Sequence, residues 1–189
     1  MEIISKKDLD NFPLPLPIYK SIHIADAHGK DGTQFSIFVG LDEKLAADLK
    51  KFSLDESDTE IQENTDDRRR FGLGSYEDWY EKIRTPFALV DKNTGKLAAL
   101  AWFGPKPAHE GCKCHAAAWR SYPPFRGKGI MRDFINFTMN FYMNKFPHTP
   151  LWVAIKKGNA KSFSLAERLG FKIDESLSDE YSVIMQKKT

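Results

Sequence analysis

The residues best suited to chemistry are Arg126-Gly127-Lys128-Gly129-Ile130-Met131. They follow an apolar, strand-like segment and open one with helical periodicity. Two glycines let the backbone turn tightly and expose its N–H groups. At a helix N-terminus those groups and the helix dipole favour anions, and Arg126 and Lys128 add positive charge. In chemical terms this is a pyrophosphate cradle. Its spacing is neither G-x-G-x-x-G nor G-x-x-x-x-G-K-[ST], so the dinucleotide fingerprint and the P-loop are both absent. About thirty residues on, Asn159-Ala160-Lys161-Ser162 opens another helical pattern that closes on Leu169-Gly170-Phe171. Asn159 suits a helix N-cap, and Gly170 suits the residue that ends a helix.

Together these two segments resemble the GNAT superfamily of acyl-CoA-dependent N-acetyltransferases. Its Q/R-x-x-G-x-G/A fingerprint is matched by Arg126 and Gly129, with Met131 in the last position. Its second marker is matched by Asn159 and by Leu169-Gly170-Phe171. The Asn-x-x-Ser form and the run YPPFRGKG look most like the branch that acetylates ribosomal proteins, and its relatives. The motifs span residues 119–171, and the element order extends the likeness back to Leu41, leaving residues 11–40 outside it.

The resemblance implies a mixed, mostly antiparallel central sheet with helices on both faces and a splayed strand pair at the coenzyme site. It implies acetyl-CoA as acyl donor and direct attack by a primary amine in a ternary complex. The backbone of Arg126, Gly127, Lys128, Gly129, Ile130 and Met131 would hold the coenzyme pyrophosphate. Pro123 and Pro124 have no N–H, so donors begin at Phe125 or later. Trp119, Arg120 and Ser121 would pair with the pantetheine amides, one N–H polarising the thioester carbonyl, while Asn159 and Ser162 would hold the coenzyme arm. Two positions depart from the family pattern. Met131 stands where Gly or Ala is usual. Ala166 stands where a Tyr often serves as acid for the leaving thiolate, which keeps a non-catalytic acyl-CoA-binding module as the alternative.

An amine nucleophile must lose a proton, so a base is useful. His115 is the first candidate, because an imidazole titrates near neutrality; the plainer role is a strand histidine bonded to a neighbour. Glu110 and His109 on the preceding loop are fallbacks. His109, Cys112, Cys114 and His115 also raise a metal-linked domain as a rival, but the spacing matches no common zinc site, and no metal is expected. A bridge between Cys112 and Cys114 would close almost no loop, so free thiols in a reducing, cytoplasmic setting are expected. Residues 55–67 hold seven acids and no base. They read as a solvated loop or as a field that would attract a cationic acceptor, whether a small-molecule or a protein amine.

The elements that must position these groups follow from periodicity. An extended, proline-alternating segment at residues 12–18 leads into a hairpin over 19–39. Leu41, Leu45 and Leu49 mark a helix over 41–52. A second helix over 75–83 has a Ser75–Asp78 capping box, with Trp79 and Ile83 on one face. Strands follow at 86–91, 97–103 and 114–122, then a helix at 130–146, a strand at 151–155, a helix at 159–169 and two strands over 171–187. The order reads as an α+β or α/β sheet with helices on its faces. It forms one domain over 1–189, with 11–40 as an added segment and no internal repeat.

Composition bounds the rest. The chain has 189 residues, with Lys+Arg 28 against Asp+Glu 26 and net charge +2. That balance argues against a nucleic-acid binder, and no apolar run reaches the length of a membrane span. Residues 1–10, with Glu2, Asp8 and Asp10, do not form a signal peptide. A monomer or a homodimer is expected. The near-neutral sum also hides separation, with acids at 55–67 and bases at 126–132 and 156–161.

Overall fold

A computed structural model describes residues 1–6 and 12–188. Asp8, Asp10 and Asn11 of the N-terminal reading lie outside the described residues. The strands are β1 (Glu2–Ser5), β2 (Ile22–His28), β3 (Gln34–Val39), β4 (Thr85–Asp91), β5 (Leu97–Pro105), β6 (His115–Ser121), β7 (Leu151–Lys156), β8 (Lys172–Ile173) and β9 (Ser182–Lys187). The helices are α1 (Glu43–Leu54), α2 (Thr59–Asn64), α3 (Tyr76–Tyr80), α4 (Met131–Lys145) and α5 (Ala160–Arg168), with a π-helical turn at Arg68–Gly72. The strands form one sheet in the order β1-β2-β3-β4-β5-β6-β7-β9-β8. Each neighbouring pair is antiparallel except β6 with β7.

The core explains the central strands. β4 (TPFALVD) is buried along its whole length, and β5 (LAALAWFGP) is buried up to its last residue. Such continuous apolar runs need cover on both faces. Phe87, Leu89, Ala99, Ala101 and Phe103 pack on one face with Phe134, Ile135, Met139 and Tyr142 of α4. Ala88, Val90, Leu97, Leu100 and Trp102 pack on the other with Leu41, Leu45 and Leu49 at α1 and Trp79 of α3. The residues alternate between clusters because successive strand side chains point to opposite faces.

Local chemistry sets several boundaries. Asp42 caps α1 by accepting from the Leu45 N–H at 2.8 Å, and Ser75 caps α3 by accepting from the Asp78 N–H at 2.9 Å. The predicted second helix ends early, at Tyr80. Ile83 has φ 59° and lies 53% exposed, because the chain must reverse there to enter β4. The proline-rich lead-in lies on the domain: Leu16 is buried and its carbonyl accepts from the Tyr80 hydroxyl at 2.6 Å. β1 and α2 are not in the sequence reading. Both are short, and β1 is mostly exposed.

The acidic segment overturns the expectation of a solvated loop. Asp67 is fully buried and Arg120, on β6, is 6% exposed; the two form a paired-nitrogen ion pair. Asp58 caps α2 at the Ile61 N–H and also accepts from both terminal nitrogens of Arg126, at 2.8 and 2.7 Å. Bidentate geometry makes such pairs strong and directional. They fold the segment against the end of β6.

Removing one partner of a buried pair strands the other charge, a cost of about 3–5 kcal/mol. Asp67→Ala should therefore lower stability by that amount in urea unfolding. Replacing Asp67 and Arg120 together with apolar residues of similar size should restore most of it.

Candidate active site

The site begins where two strands part. β6 and β7 are paired at His115↔Leu151 and Ala116↔Trp152 and no further. Beyond that point β6 follows β5, out to Ser121↔Ala99, and β7 follows β9, out to Lys156↔Ser182. A wedge therefore opens inside the sheet, with an unpaired strand edge on either side.

Register shows which groups face the wedge. The His115 N–H crosses to the Pro150 carbonyl at 2.9 Å, on the β7 side. The Tyr122 N–H goes to the Ala98 carbonyl at 2.9 Å, on the β5 side. Backbone groups alternate sides along a strand. The N–H groups of Ala117, Trp119 and Ser121 are thus directed into the wedge, and that of Arg120 toward β5. Since the Arg120 guanidinium is also spent on Asp67, Arg120 offers the wedge neither of its donors. It braces the wall.

A cavity of about 250 Å³ fills the wedge, lined by residues 116–120 of β6 and 152–156 of β7 with Asp66, Asn159 and Ser162. It shares Trp119, Arg120, Asn159 and Ser162 with a trough of about 1030 Å³ that runs over the glycine turn. Gly127 and Gly129 have φ 81° and 70°, in the left-handed region where a side chain is strained. A Cβ at either would point into open space. The first α4 N–H to bond back along the helix is that of Phe134, to Ile130 at 3.2 Å. The N–H groups ahead of it project from the helix end, and Ile130 supplies no side-chain cap. Of the N–H groups from Phe125 onward, two are already used inside the turn. That of Phe125 is taken by the Tyr122 carbonyl at 2.9 Å, and that of Lys128 by the Phe125 carbonyl at 3.4 Å. The Arg126 guanidinium holds Asp58 and the Ser121 carbonyl, which raises its pKa mainly through the Asp58 hydrogen bonds. Lys128 pairs with Asp31 at 3.0 Å.

At the far wall Asn159 caps α5, accepting from the Ser162 N–H at 3.1 Å. The Trp119 indole N–H donates to the Ser162 hydroxyl at 3.1 Å. The family model for an acetyltransferase (GNAT) domain matches residues 43–172, which contain both parted strands, the glycine turn and α5. The chain belongs to the GNAT acetyltransferase family.

Solved structures share the fold. The GNAT domain of S. lividans PAT aligns with TM-score 0.63 at 13% identity, over 87% of this chain and 96% of that one. Ribosomal-protein-S5-alanine acetyltransferase from Vibrio fischeri aligns with TM-score 0.56 at 17% identity, over 80% and 92%. Spermidine N-acetyltransferase from Vibrio cholerae, solved with CoA and spermine, aligns with TM-score 0.59 at 14% identity, over 79% and 92%. No curated protein matches significantly.

Within this GNAT frame the expected bases fall elsewhere. His115 is on the α4 face of the sheet. Its Nδ1 lies 2.7 Å from the Tyr142 hydroxyl and its ring meets Phe146 edge-on at 5.3 Å. It does not line the wedge, and Glu110 is exposed on the loop before β6. The carboxylate that does line the wedge is Asp66. In the sequence it is one acid among seven, with no local pattern to mark it out. Cys112 and Cys114 are bonded to each other, against the expectation of free thiols. Their Cα atoms are 5.4 Å apart, within ordinary disulfide reach, even though the loop they close is minimal. Ala166, in the usual Tyr position, is the buried residue of α5 and is completely out of solvent. No helix among the described residues is long and apolar enough to cross a membrane.

Burial lowers the His115 pKa, and the nearby Arg84 charge lowers it further. A histidine depressed in the folded state stabilises above its unfolded pKa of about 6.5, and that stability is lost as pH falls below it. His115→Gln should flatten the decline in thermal stability between pH 6.5 and 5 in a calorimetric series, without changing coenzyme affinity at pH 8.

Proposed function

We propose that the protein transfers the acetyl group of acetyl-CoA to a primary amine bound with it in a ternary complex. The observation that carries this reading is the parting of β6 and β7. It leaves unpaired N–H groups facing a cavity that continues into an uncapped, glycine-turned helix end. The coenzyme's pantetheine amides are linear donors and acceptors that suit a free strand edge, and its pyrophosphate suits the helix end.

In this reading the N–H groups of Ala117, Trp119 and Ser121 serve the pantetheine arm and the thioester carbonyl. The backbone of Gly127, Gly129, Ile130 and Met131 takes the pyrophosphate, and Asn159 and Ser162 border the arm. Arg126 and Lys128 add field rather than direct contacts, since Asp58 and Asp31 hold their side chains. The thioester supplies the acetyl group and a thiolate leaving group. The amine nitrogen forms a bond to the carbonyl carbon, the carbon–sulfur bond breaks, and the electron pair leaves on sulfur. Asp66 accepts the amine's proton, directly or through water. Ser162 receives the Trp119 hydrogen bond, so its own proton is left to stabilise the thiolate. The buried Ala166 supports the rival reading, a module that binds acyl-CoA without turning it over.

Two measurements decide between the readings. Gly129→Glu puts a carboxylate into the cradle and should lower CoA affinity at least ~100-fold by calorimetry, through lost anion binding and charge repulsion; unchanged affinity would remove the cradle. Asp66→Asn should keep CoA affinity and lower kcat for amine acetylation by about 10²-fold, the low end for loss of a general base. Tight CoA binding with no thiol released across an amine panel would leave the binding module as the answer.

A further inference from the structure

A second cavity, of about 380 Å³, opens beside the wedge and shares Arg70, Trp102 and Lys106 with it. Its volume falls in the usual range for small-ligand sites, roughly 300–1,000 Å³. Its charged lining is Arg69, Arg70, Lys82, Arg84 and Lys106 against the single carboxylate of Asp78. A cationic amine would be repelled there.

The surplus charge is real and not locally cancelled. Arg69 and Arg70 approach Asp66 and Asp67. Among the described residues Lys82, Arg84 and Lys106 have no carboxylate within 4.0 Å. Arg84 is the informative one. It is 8% exposed, so more than nine-tenths of it is out of water. One guanidinium nitrogen donates to the Pro105 carbonyl at 2.6 Å, and Cζ lies over the Trp102 ring, 5.3 Å from its centroid. A guanidinium has five N–H donors and no acceptor. One carbonyl leaves most of them unspent, and a buried cation without an anion is costly. Lys106 lies over the Trp152 ring at 5.2 Å, at the shared mouth of the two cavities. Burial lowers the pKa of both Arg84 and Lys106, and Arg70 lowers both further, the direction a bound anion would reverse.

We propose that the acceptor is a small amine that also carries an oxyanion, a carboxylate or a phosphate. The oxyanion would sit on Arg84 and Lys106 while the amine reaches the wedge beside Asp66. This rests on the acyl-transfer reading of the wedge and specifies its substrate class. The two ends of such a molecule would find opposite charges, which would fix its direction as well as its affinity. The acidic residues 55–67, once candidates for drawing in a cationic acceptor, are largely engaged with Arg120, Arg126, Lys161 and Arg68.

The test has a kinetic arm and a binding arm. Thiol release from acetyl-CoA is followed with matched amines: β-alanine and phosphoethanolamine against propylamine, ethanolamine and spermidine. At least one oxyanion-bearing amine should exceed its neutral counterpart and spermidine by ~10-fold or more in kcat/KM; comparing β-alanine with phosphoethanolamine tells carboxylate from phosphate. Arg84→Gln should raise KM for the favoured amine about 10-fold and leave CoA affinity unchanged. Lys106→Gln, at an exposed side chain, gives the same readout if Arg84→Gln does not fold. In the binding arm, succinate is titrated into the full chain while the Trp79 and Trp102 indole N–H signals are followed by NMR. Saturable shifts that vanish in either variant support the pocket. If spermidine is the better acceptor, or succinate leaves both signals unmoved, the proposal is overturned while acyl transfer stands. If no amine is acetylated but succinate binds as described, acyl transfer falls and the anion pocket stands.

Discussion

Arg120 and Arg126 lie at the end of β6 and in the turn that leaves it, and each is claimed by an aspartate from the same acidic segment. Everything around the wedge depends on these two clamps. They hold α2 and the π-helical turn as a wall over the parted strands, and they fix the turn whose backbone forms the cradle. They also account for a charge distribution that looks paradoxical in the sequence. The acids are not displayed to solvent. They neutralise Arg120 and Arg126, so what the turn presents is its backbone N–H groups. Those donors carry no net charge and need no desolvation of a full cation.

Much of the fold is legible in the sequence because it rests on local rules. The Leu41, Leu45, Leu49 stripe with Asp42 as cap sets α1, the Ser75 hydroxyl sets the start of α3, and Asn159 with Gly170 brackets α5. The cradle is legible for the same reason, since its glycines and the following helix are contiguous. What is not legible is pairing across distance. Asp67 and Arg120 are 53 residues apart, and Asp58 and Arg126 are 68 apart. No periodicity marks two acids out of seven as buried. His115 is the complementary failure. Its type and position suit a base, but strand alternation places its ring on the α4 face, against Tyr142 and Phe146. A one-residue difference in phase would have turned it toward the opposite face.

The two cavities divide the work by charge type. The trough over the glycine turn presents uncharged N–H donors. The cavity of about 380 Å³ presents full cations, with Arg84 between the Pro105 carbonyl and the Trp102 ring. Asp66 lines the wedge cavity, which shares walls with each of them. Under the proposed function, this order of N–H donors, carboxylate and cations would sort molecules by where their charges lie, and fold likeness to distant acetyltransferases does not reveal that order.

The outer margins of the sheet are a four-residue strand at one side and a two-residue strand at the other. Such short margins give a foreign chain little to pair with, a common guard against aggregation. The long unsatisfied edges are instead those of β6 and β7, turned toward each other across a narrow gap. The protein thus keeps its stickiest backbone where a slender molecule can thread but another sheet cannot stack. The feature that would be a hazard on the perimeter becomes, in the interior, a filter for the width of what may enter.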